Sequence, residues 1–500
     1  MENKKDYLLT IDQSTSGTKA LVIDSSGTII AKSSIEHRQY FPFPGWVEHD
    51  PVEIYENVLQ ASRAALKQAG IDPGQLAALT LTNQRETAVM WDSATGLPVC
   101  NAIVWQCQRT AERCEALKAA GNEDIVRAKT GLMLDPYFSA AKWSWMLEQV
   151  PYIDRLLEEG RLLAGTMDSW LLWKLSGGAV HATDYTNASR TSLFNIHKLC
   201  WDAELCELFG VPTELLPEVK SCDEVFGWTD DPQLFACKVP IAGIIGDSQG
   251  ALFGQHCFEK GMAKATYGTG TSVLMNIGEK PAAVQNGLVL AVGWSVGGKV
   301  TYALEAVIRA SGDTIKWVRD NLELFRTYSE LEELLAQAEN NEGVYLVPAF
   351  VGLGAPYWEP QARAMISGMN RGTGRPHIVR AALESIAYQV RDAIGLIEEG
   401  TGIPLSTLRA DGGASDNEIL MQFQADMLGC GVSKSDVAEL SAMGSAYLGG
   451  LGVGLWASLS EITQQQRNYR LYMPQMEQAQ RTQNYDGWKH AVACVLPNRH

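Results

Sequence analysis

Two distant stretches of this chain share one pattern: an apolar strand, a tight turn of Gly, Ser and Thr, then a second apolar strand. The first runs from Tyr7 to Asp24 through Ser14-Thr15-Ser16-Gly17, and the second from Ala265 to Met275 through Gly268-Thr269-Gly270. Small residues let backbone N–H groups approach an anion closely, and hydroxyls add donors, so such a turn can cradle phosphate oxygens. One hairpin of this kind is most often only a turn. Two of them, each near the start of a similar half, point to a duplicated fold that clasps a single phosphate chain from both sides.

At 500 residues, the chain is long enough for two or three domains with real cores. Hydrophobic residues make up 46% and charged residues 20%, an ordinary globular balance. A formal charge of −17 argues against nucleic acid or an anionic membrane as partner. A phosphate site must then be made positive locally, by a metal ion and a few basic side chains. The ten cysteines form no C-x-x-C, which suits reduced thiols in the cytoplasm. Cys100, Cys107 and Cys114 recur every seven residues, as expected for one face of a helix. The first strand starts too early to leave room for a secretory signal. Gly444 to Leu459 is Gly/Ala-rich and shorter than a membrane span, which predicts a close-packed helix.

Strand and helix alternate along both halves. Leu8–Ile11, Ala20–Ile23 and Thr28–Ala31 open the first half as strands. Asp50-Pro51-Val52-Glu53 is a helix start, and Ala77–Thr82 the next strand. Segments near 143–147, 153–157 and 171–175 read as added helices. The apolar strand Val239–Gly246 delivers Asp247 at its end, and the helix Ser248–Cys257 carries the chain into the second half. There Gly261–Met275, Gly343–Pro348, Ile378–Ile397 and Leu408–Asp411 repeat the order hairpin, strand, long helix, strand. Ser415-Asp416-Asn417-Glu418 reads as a capping box. With no low-complexity linker, the division falls at a compact crossing: residues 1–255 form one lobe and 256–500 the other, with a cleft between them.

Several polar positions sit where chemistry is done. Asp12 ends the first strand just before the turn, as a metal carrier acting through water or as a turn cap. Lys19 follows the turn, near phosphate or merely solvated. In Thr82 to Thr87, the adjacent Arg85 and Glu86 can donate to and accept from a substrate hydroxyl, or form an incidental surface pair. Trp105 and Tyr137 offer an apolar wall and a hydroxyl, or belong to the core. Asp247 is either a helix cap or a carboxylate that positions a hydroxyl for phosphoryl transfer. Leu408 to Ser415 places glycines where backbone can lie against a flat ligand. The chain has no G-x-x-x-x-G-K-[ST], no G-x-G-x-x-G after a strand and no H-R-D or D-F-G set, which disfavours P-loop, Rossmann and protein-kinase chemistry.

The residues resemble the FGGY carbohydrate kinases. Tyr137 to Gln149 fits the first family signature, and Ala364 to Met369 with His377 to Glu384 fits the second. Pro44 to Pro51, Thr82 to Thr87, Asp184 to Thr191, Leu353 to Trp358 and Leu420 to Gln424 resemble strings of the glycerol-phosphorylating branch. The resemblance runs from about residue 6 to residue 457. It implies an α/β fold of two actin-like (ribonuclease H-type) ATPase lobes flanking a catalytic cleft. It also implies ATP and Mg²⁺ as cofactors, a small polyol or sugar as substrate, a cytoplasmic enzyme without membrane insertion, and a homodimer or homotetramer. By this resemblance Asp247 is the base and Asp12 acts on the metal through water. Arg85, Glu86, Trp105, Tyr137 and Ser248, with Asp247, hold the acceptor. Thr15, Ser16, Lys19, Thr269, Gly312, Gly413 and Asn417 contact the nucleotide.

The sequence departs from that branch at Ser248, where Gln is usual, and at Ser272, where Phe is usual. Both changes remove volume, so a four- or five-carbon polyol or ketose of erythritol, xylulose or ribulose type competes with glycerol as the expected substrate. Residues 228–236 lack the glycine-rich effector loop of enteric relatives and the histidine phosphorylated in some Gram-positive ones. A chaperone- or actin-like ATPase is the rival class, but it leaves Arg85-Glu86 unexplained.

Overall fold

The computed structural model describes residues 5–283, 287–465 and 468–496. The first half opens with a meander of β1 (Tyr7–Gln13), β2 (Gly17–Asp24) and β3 (Ile29–Glu36), followed by α1 (Pro51–Ala69) and β4 (Leu76–Asn83). Later come β5 (Val225–Trp228), β6 (Pro240–Gly246) and α2 (Asp247–Gly254). These strands form one sheet in the order β5-β6-β4-β1-β2-β3. β1 pairs antiparallel with β2 and parallel with β4, and β6 adds parallel to β4. Helix α1 forms as its sequence dictates: Asp50 caps Val52 N–H at 2.8 Å, and Gly70 closes the other end at φ 69°. Its buried Ile54, Val58, Leu59 and Leu66 pack into the first-lobe core.

The second half repeats this plan. β7 (Met262–Tyr267), β8 (Thr271–Gly278), β9 (Val289–Val296) and β10 (Lys299–Ile308) precede α3 (Arg375–Thr401), β11 (Thr407–Asp411), α4 (Glu418–Leu428), β12 (Val432–Ser435), α5 (Leu440–Gly452) and β13 (Tyr469–Tyr472). The sheet order is β9-β10-β8-β7-β11-β12-β13. Here β7 is antiparallel to β8 and parallel to β11, as β1 is to β2 and β4. The two sheets therefore share an antiparallel meander flanked by parallel strands, the duplicated actin-like arrangement expected from the sequence.

Four local expectations need correction. The third strand of the second meander is β10, not Gly343–Pro348. Tyr345–Val347 pairs only with Met365–Ser367 in a separate two-stranded sheet. The α4 cap is Asn417, whose Oδ1 accepts Leu420 N–H at 2.9 Å, while Ser415 Oγ bonds back to Gly412 O. Cys100, Cys107 and Cys114 share no helix: only Cys114 lies within Ala111–Ala119. The small-residue helix near residue 444 is α5 and ends at Gly452, with a separate short helix at Leu459–Thr463.

Helices α2 and α5 cross between the lobes. Each follows the last parallel strand of its own sheet and packs on the other: α2 touches β7, β8 and β9, and α5 lies on β1, β4 and β6. Glycines permit the crossing. A Cβ on Gly444 would overlap the Gly250 carbonyl oxygen, and one on Gly254 would overlap the Leu440 carbonyl oxygen. Leu252, Phe253, Met443 and Tyr447 form a shared core around the crossing. No helix among the described residues is long and apolar enough to cross a membrane. Gly444→Val forces these backbones apart, and overpacking of this kind costs about 1–3 kcal/mol or more. We expect a clear drop in Tm by circular dichroism; an unchanged Tm contradicts the close crossing.

Candidate active site

The two small-residue hairpins end up at different parts of the site. In the second, Gly268 N–H bonds to Gly270 O at 2.9 Å, and Gly312 N–H bonds to Gly268 O at 3.0 Å, which folds the turn onto the start of the helix at 312. Gly412, at φ 88°, passes so close to the Tyr267 backbone that a side chain has no room. Gly413 has no atom near its Cβ direction and opens onto a cavity of about 480 Å³. That cavity collects Thr269, Gly312, Gly413 and Asn417, four of the seven positions expected on the nucleotide side, together with Lys316. Thr15, Ser16 and Lys19 belong to the first hairpin and do not line it. Thr15 Oγ1 accepts the Trp105 indole N–H at 3.0 Å.

Asp12 and Lys19 face each other across β1 and β2, with Nζ 3.9 Å from Oδ2. Burial pushes the Asp12 carboxyl up to about 7, with Lys19 opposing and Glu439 and Asp247 adding to the rise. Lys19 is held by Glu439, which precedes α5, at 2.6 Å, and Lys32 binds the other oxygen of Glu439 at 2.9 Å.

Arg85 and Glu86 lie just beyond the end of β4. Glu86 sits at φ 61°, a conformation rare outside glycine and a mark of local demand. Its carbonyl accepts Ser139 Oγ at 3.1 Å, and its carboxylate accepts Arg190 Nε at 2.5 Å. Burial nonetheless raises Glu86 above the usual carboxylate range, against the pull of Arg190 and Arg85. Arg85 Nε lies 3.1 Å from Asp247 Oδ1, at the first turn of α2. Asp247 Oδ1 also accepts Ser248 N–H at 2.6 Å, so Ser248 meets Asp247 through its backbone. Gly246 makes room for this arrangement, since a Cβ there would lie 2.8 Å from Arg85 Cγ. The Trp105 and Tyr137 rings lie 5.3 Å apart, tilted by 57°, and the Arg190 guanidinium lies 5.9 Å from the Tyr137 ring. The expected acceptor residues are thus brought together.

Sequence reasoning missed four charged neighbours. Glu305 on β10 binds Arg85 Nη2 at 3.0 Å and sits 2.7 Å from Arg190 Nη1. Burial works to raise Glu305, but Arg190 and Arg85 outweigh it and hold the carboxyl at about 2. Lys264 on β7 is almost fully buried and reaches Thr266 Oγ1 at 3.0 Å and Ser272 Oγ at 3.5 Å; burial lowers its pKa, against Asp411 and Glu305. Arg190 and Glu439 complete the set. Glu305 and Lys264 carried a signal: each is a lone charge inside an apolar strand, a placement that demands a partner.

Two lobes of this topology, each with a small-residue hairpin after its first strand, define the actin-like ATPase class of fold. The chain belongs to the FGGY family of carbohydrate kinases: residues 7–254 match the family's N-terminal domain and residues 263–453 its C-terminal domain. It is 49% identical over 486 residues to a glycerol kinase of Bacillus licheniformis, covering 97% of this chain and 98% of that protein. It superposes on a Plasmodium falciparum glycerol kinase crystallised with ADP at a TM-score of 0.93, with 36% identity and 99% of each chain covered. A xylulose kinase from Lactobacillus acidophilus shares the fold at a TM-score of 0.86 and 19% identity, covering 97% of this chain and 98% of that one.

Beneath Tyr137, the buried Lys142 ammonium donates to the carbonyls of Tyr137 and Phe138. Burial pulls Lys142 down to about 8, against nearby Glu86. Its ordinary value is 10.5, so between about 8 and 10.5 the unfolded state binds more protons than the folded one, and stability rises with pH across that window. Below about pH 8 the burial penalty is fully present. The stability of wild type relative to Lys142→Met is therefore expected to rise between pH 7 and pH 9.5 in denaturant titrations. A flat or falling difference contradicts the buried charge.

Proposed function

We propose that this kinase transfers the terminal phosphoryl of ATP to a primary hydroxyl of glycerol, giving glycerol 3-phosphate. The observation that carries the reading is the Arg85–Asp247 pair at 3.1 Å, with Glu86 beside it. Near-full-length similarity to glycerol kinases supports it. In this reading Asp247 accepts the hydroxyl proton, and because the transition state is loose, its chief task is to aim that hydroxyl. Glu86 accepts from a second hydroxyl, Arg85 donates an N–H that neither Glu305 nor Gln249 takes, and Trp105 and Tyr137 wall the carbon chain. Ser248 fixes the Asp247 carboxylate by its backbone N–H.

The first lobe, residues 1–255, holds the acceptor and the second, 256–500, the nucleotide. Thr269, Gly312, Gly413 and Asn417 take the nucleotide in their cavity, while Thr15, Ser16 and Lys19 meet the phosphates from the other hairpin. Asp12 is a buried oxygen donor whose ion-pair partner lies 3.9 Å away, and this chemistry fits Mg²⁺ held through water. Bound Mg²⁺ would neutralise phosphate oxygens as charge moves to the leaving group. Unpaired thiols, with Cys200, Cys237 and Cys494 exposed, support a reducing cytoplasmic setting.

A second reading has its own observation. Ser272, where glycerol kinases are expected to carry Phe, lies 3.3 Å from Glu305 Oε1, so this wall is polar. A longer polyol or ketose is the acceptor that such a wall favours.

A coupled ADP-release assay with glycerol, erythritol, xylulose, ribulose or no acceptor tests both readings. Glycerol-stimulated release supports the first, preference for a longer acceptor supports the second, and equal turnover without acceptor overturns both. Asp247→Asn is expected to lower kcat by about 10²–10⁴-fold, the contribution typical of a proton acceptor, with ATP affinity nearly unchanged. A mutant keeping more than about a tenth of the rate contradicts the assignment. Ser272→Phe should raise kcat/KM for glycerol relative to erythritol; the opposite ranking contradicts the account of the wall.

A further inference from the structure

We infer that Glu305 is a positioning residue: it reaches from the second-lobe sheet into the first lobe and, through Arg85, sets the orientation of the Asp247 carboxylate. The inference rests on the reading of Asp247 as the group that receives the hydroxyl proton.

Glu305 stands alone among Ala303, Leu304 and Ala306 on β10 and is 1% exposed. A carboxylate so buried is tolerated only when matched by charge and hydrogen bonds. Its match comes from the other lobe. Arg85 offers both terminal nitrogens to this one carboxylate, Nη2 to Oε1 at 3.0 Å and Nη1 to Oε2 at 3.3 Å. A fork of this kind fixes the plane of the guanidinium as well as its position. Nη1 is shared with Gln249 Oε1 on α2 at 3.1 Å, and the remaining edge, Nε, is left facing Asp247. Three of the five N–H donors of Arg85 are engaged in these bonds, while Asp247 Oδ1 lies 3.1 Å from Nε as an ion-pair partner.

The strand that carries Glu305 and its neighbour β9 are held against the first lobe, β10 through Tyr302 and β9 through Leu290 and Ser295. Leu290 N–H bonds to Gly131 O at 3.1 Å, Tyr302 Oη to Ile196 O at 3.0 Å, and Cys222 N–H to Ser295 Oγ at 2.9 Å. Glu305 therefore presents a fixed template. Without its charge, the Arg85 fork is free to turn and grip both oxygens of Asp247, which would mask the lone pair needed by the hydroxyl.

The test is a double-mutant cycle in full-length enzyme with steady-state kinetics for glycerol and Mg-ATP. Glu305→Gln is expected to lower kcat at least about tenfold, given the steep cost of small misplacements, with KM for Mg-ATP within about threefold. In an Arg85→Lys background, where no fork exists, the same substitution is expected to cost less than about threefold, because the two residues act as one unit. A smaller loss in the wild-type background overturns the inference, as does an equal loss in both backgrounds, which marks a merely structural role. Should Glu305→Gln fail to fold by circular dichroism, Glu305→Asp, which shortens the reach of the carboxylate, is judged by the same criteria. Wild type without polyol-stimulated ADP release would instead defeat the reading of Asp247, and the two failures are thereby distinguished.

Discussion

Two arginines and two carboxylates are buried together where the lobes meet, and this ion cluster constrains everything around it. Removing such charges from water costs several kcal/mol each unless each finds partners of the right sign and geometry. Arg190 pairs with Glu86 inside the first lobe, but Glu305, from the second, takes both of its ion-pair partners, Arg85 and Arg190, from the first. The strained backbone at Glu86 and the side-chain-free Gly246 are accommodations to the same cluster. Asp247, beside this cluster, is about a third exposed, whereas Arg85, Arg190, Glu86 and Glu305 are almost fully buried.

The crossing helices give the cluster its setting. Asp247 begins α2, which leaves the first sheet to lie on the second, while Glu439 precedes α5, which makes the opposite journey. The glycines at the crossing bring the two backbones into direct contact, with the Leu440 carbonyl at the start of α5 against Gly254 at the end of α2. Asp12 responds to Asp247 and Glu439 together, a sign of how tightly this corner is packed with charge. The cavity beside the second hairpin combines the bare backbone of Gly268, Gly312 and Gly413 with the side chains of Ile315, Lys316 and Asn417.

What could be read from the sequence was local. A Gly/Ser/Thr turn between two apolar strands, an aspartate at a strand end and the Arg85-Glu86 pair are each specified by a few adjacent residues. Their placement followed from alternation of strand and helix. The partners that complete the site were not legible because they are far away in the chain: Glu305 lies 220 positions from Arg85, and Glu439 lies 420 from Lys19. A lone Glu in Ala303-Leu304-Glu305-Ala306 announces that something pairs with it, but not what. The third strand of the second meander was misplaced because Val344 to Val347 is as β-prone as β10. The Gly297-Gly298 turn that joins β9 to β10 was the better signal. The cap at Asn417 was displaced for a similar reason, since Ser415 and Asn417 both suit the role and Ser415 is taken into the short 3-10 turn Gly413–Asp416 that precedes the helix.

The most direct trial of this account is a crystal structure with a non-hydrolysable ATP analogue and glycerol bound together. The account expects a glycerol hydroxyl within hydrogen-bond distance of the Asp247 carboxylate and in line with the terminal phosphorus, with Arg85 still bridging Asp247 and Glu305. A ternary complex in which Asp247 is remote from both the polyol and the phosphate tail would contradict it.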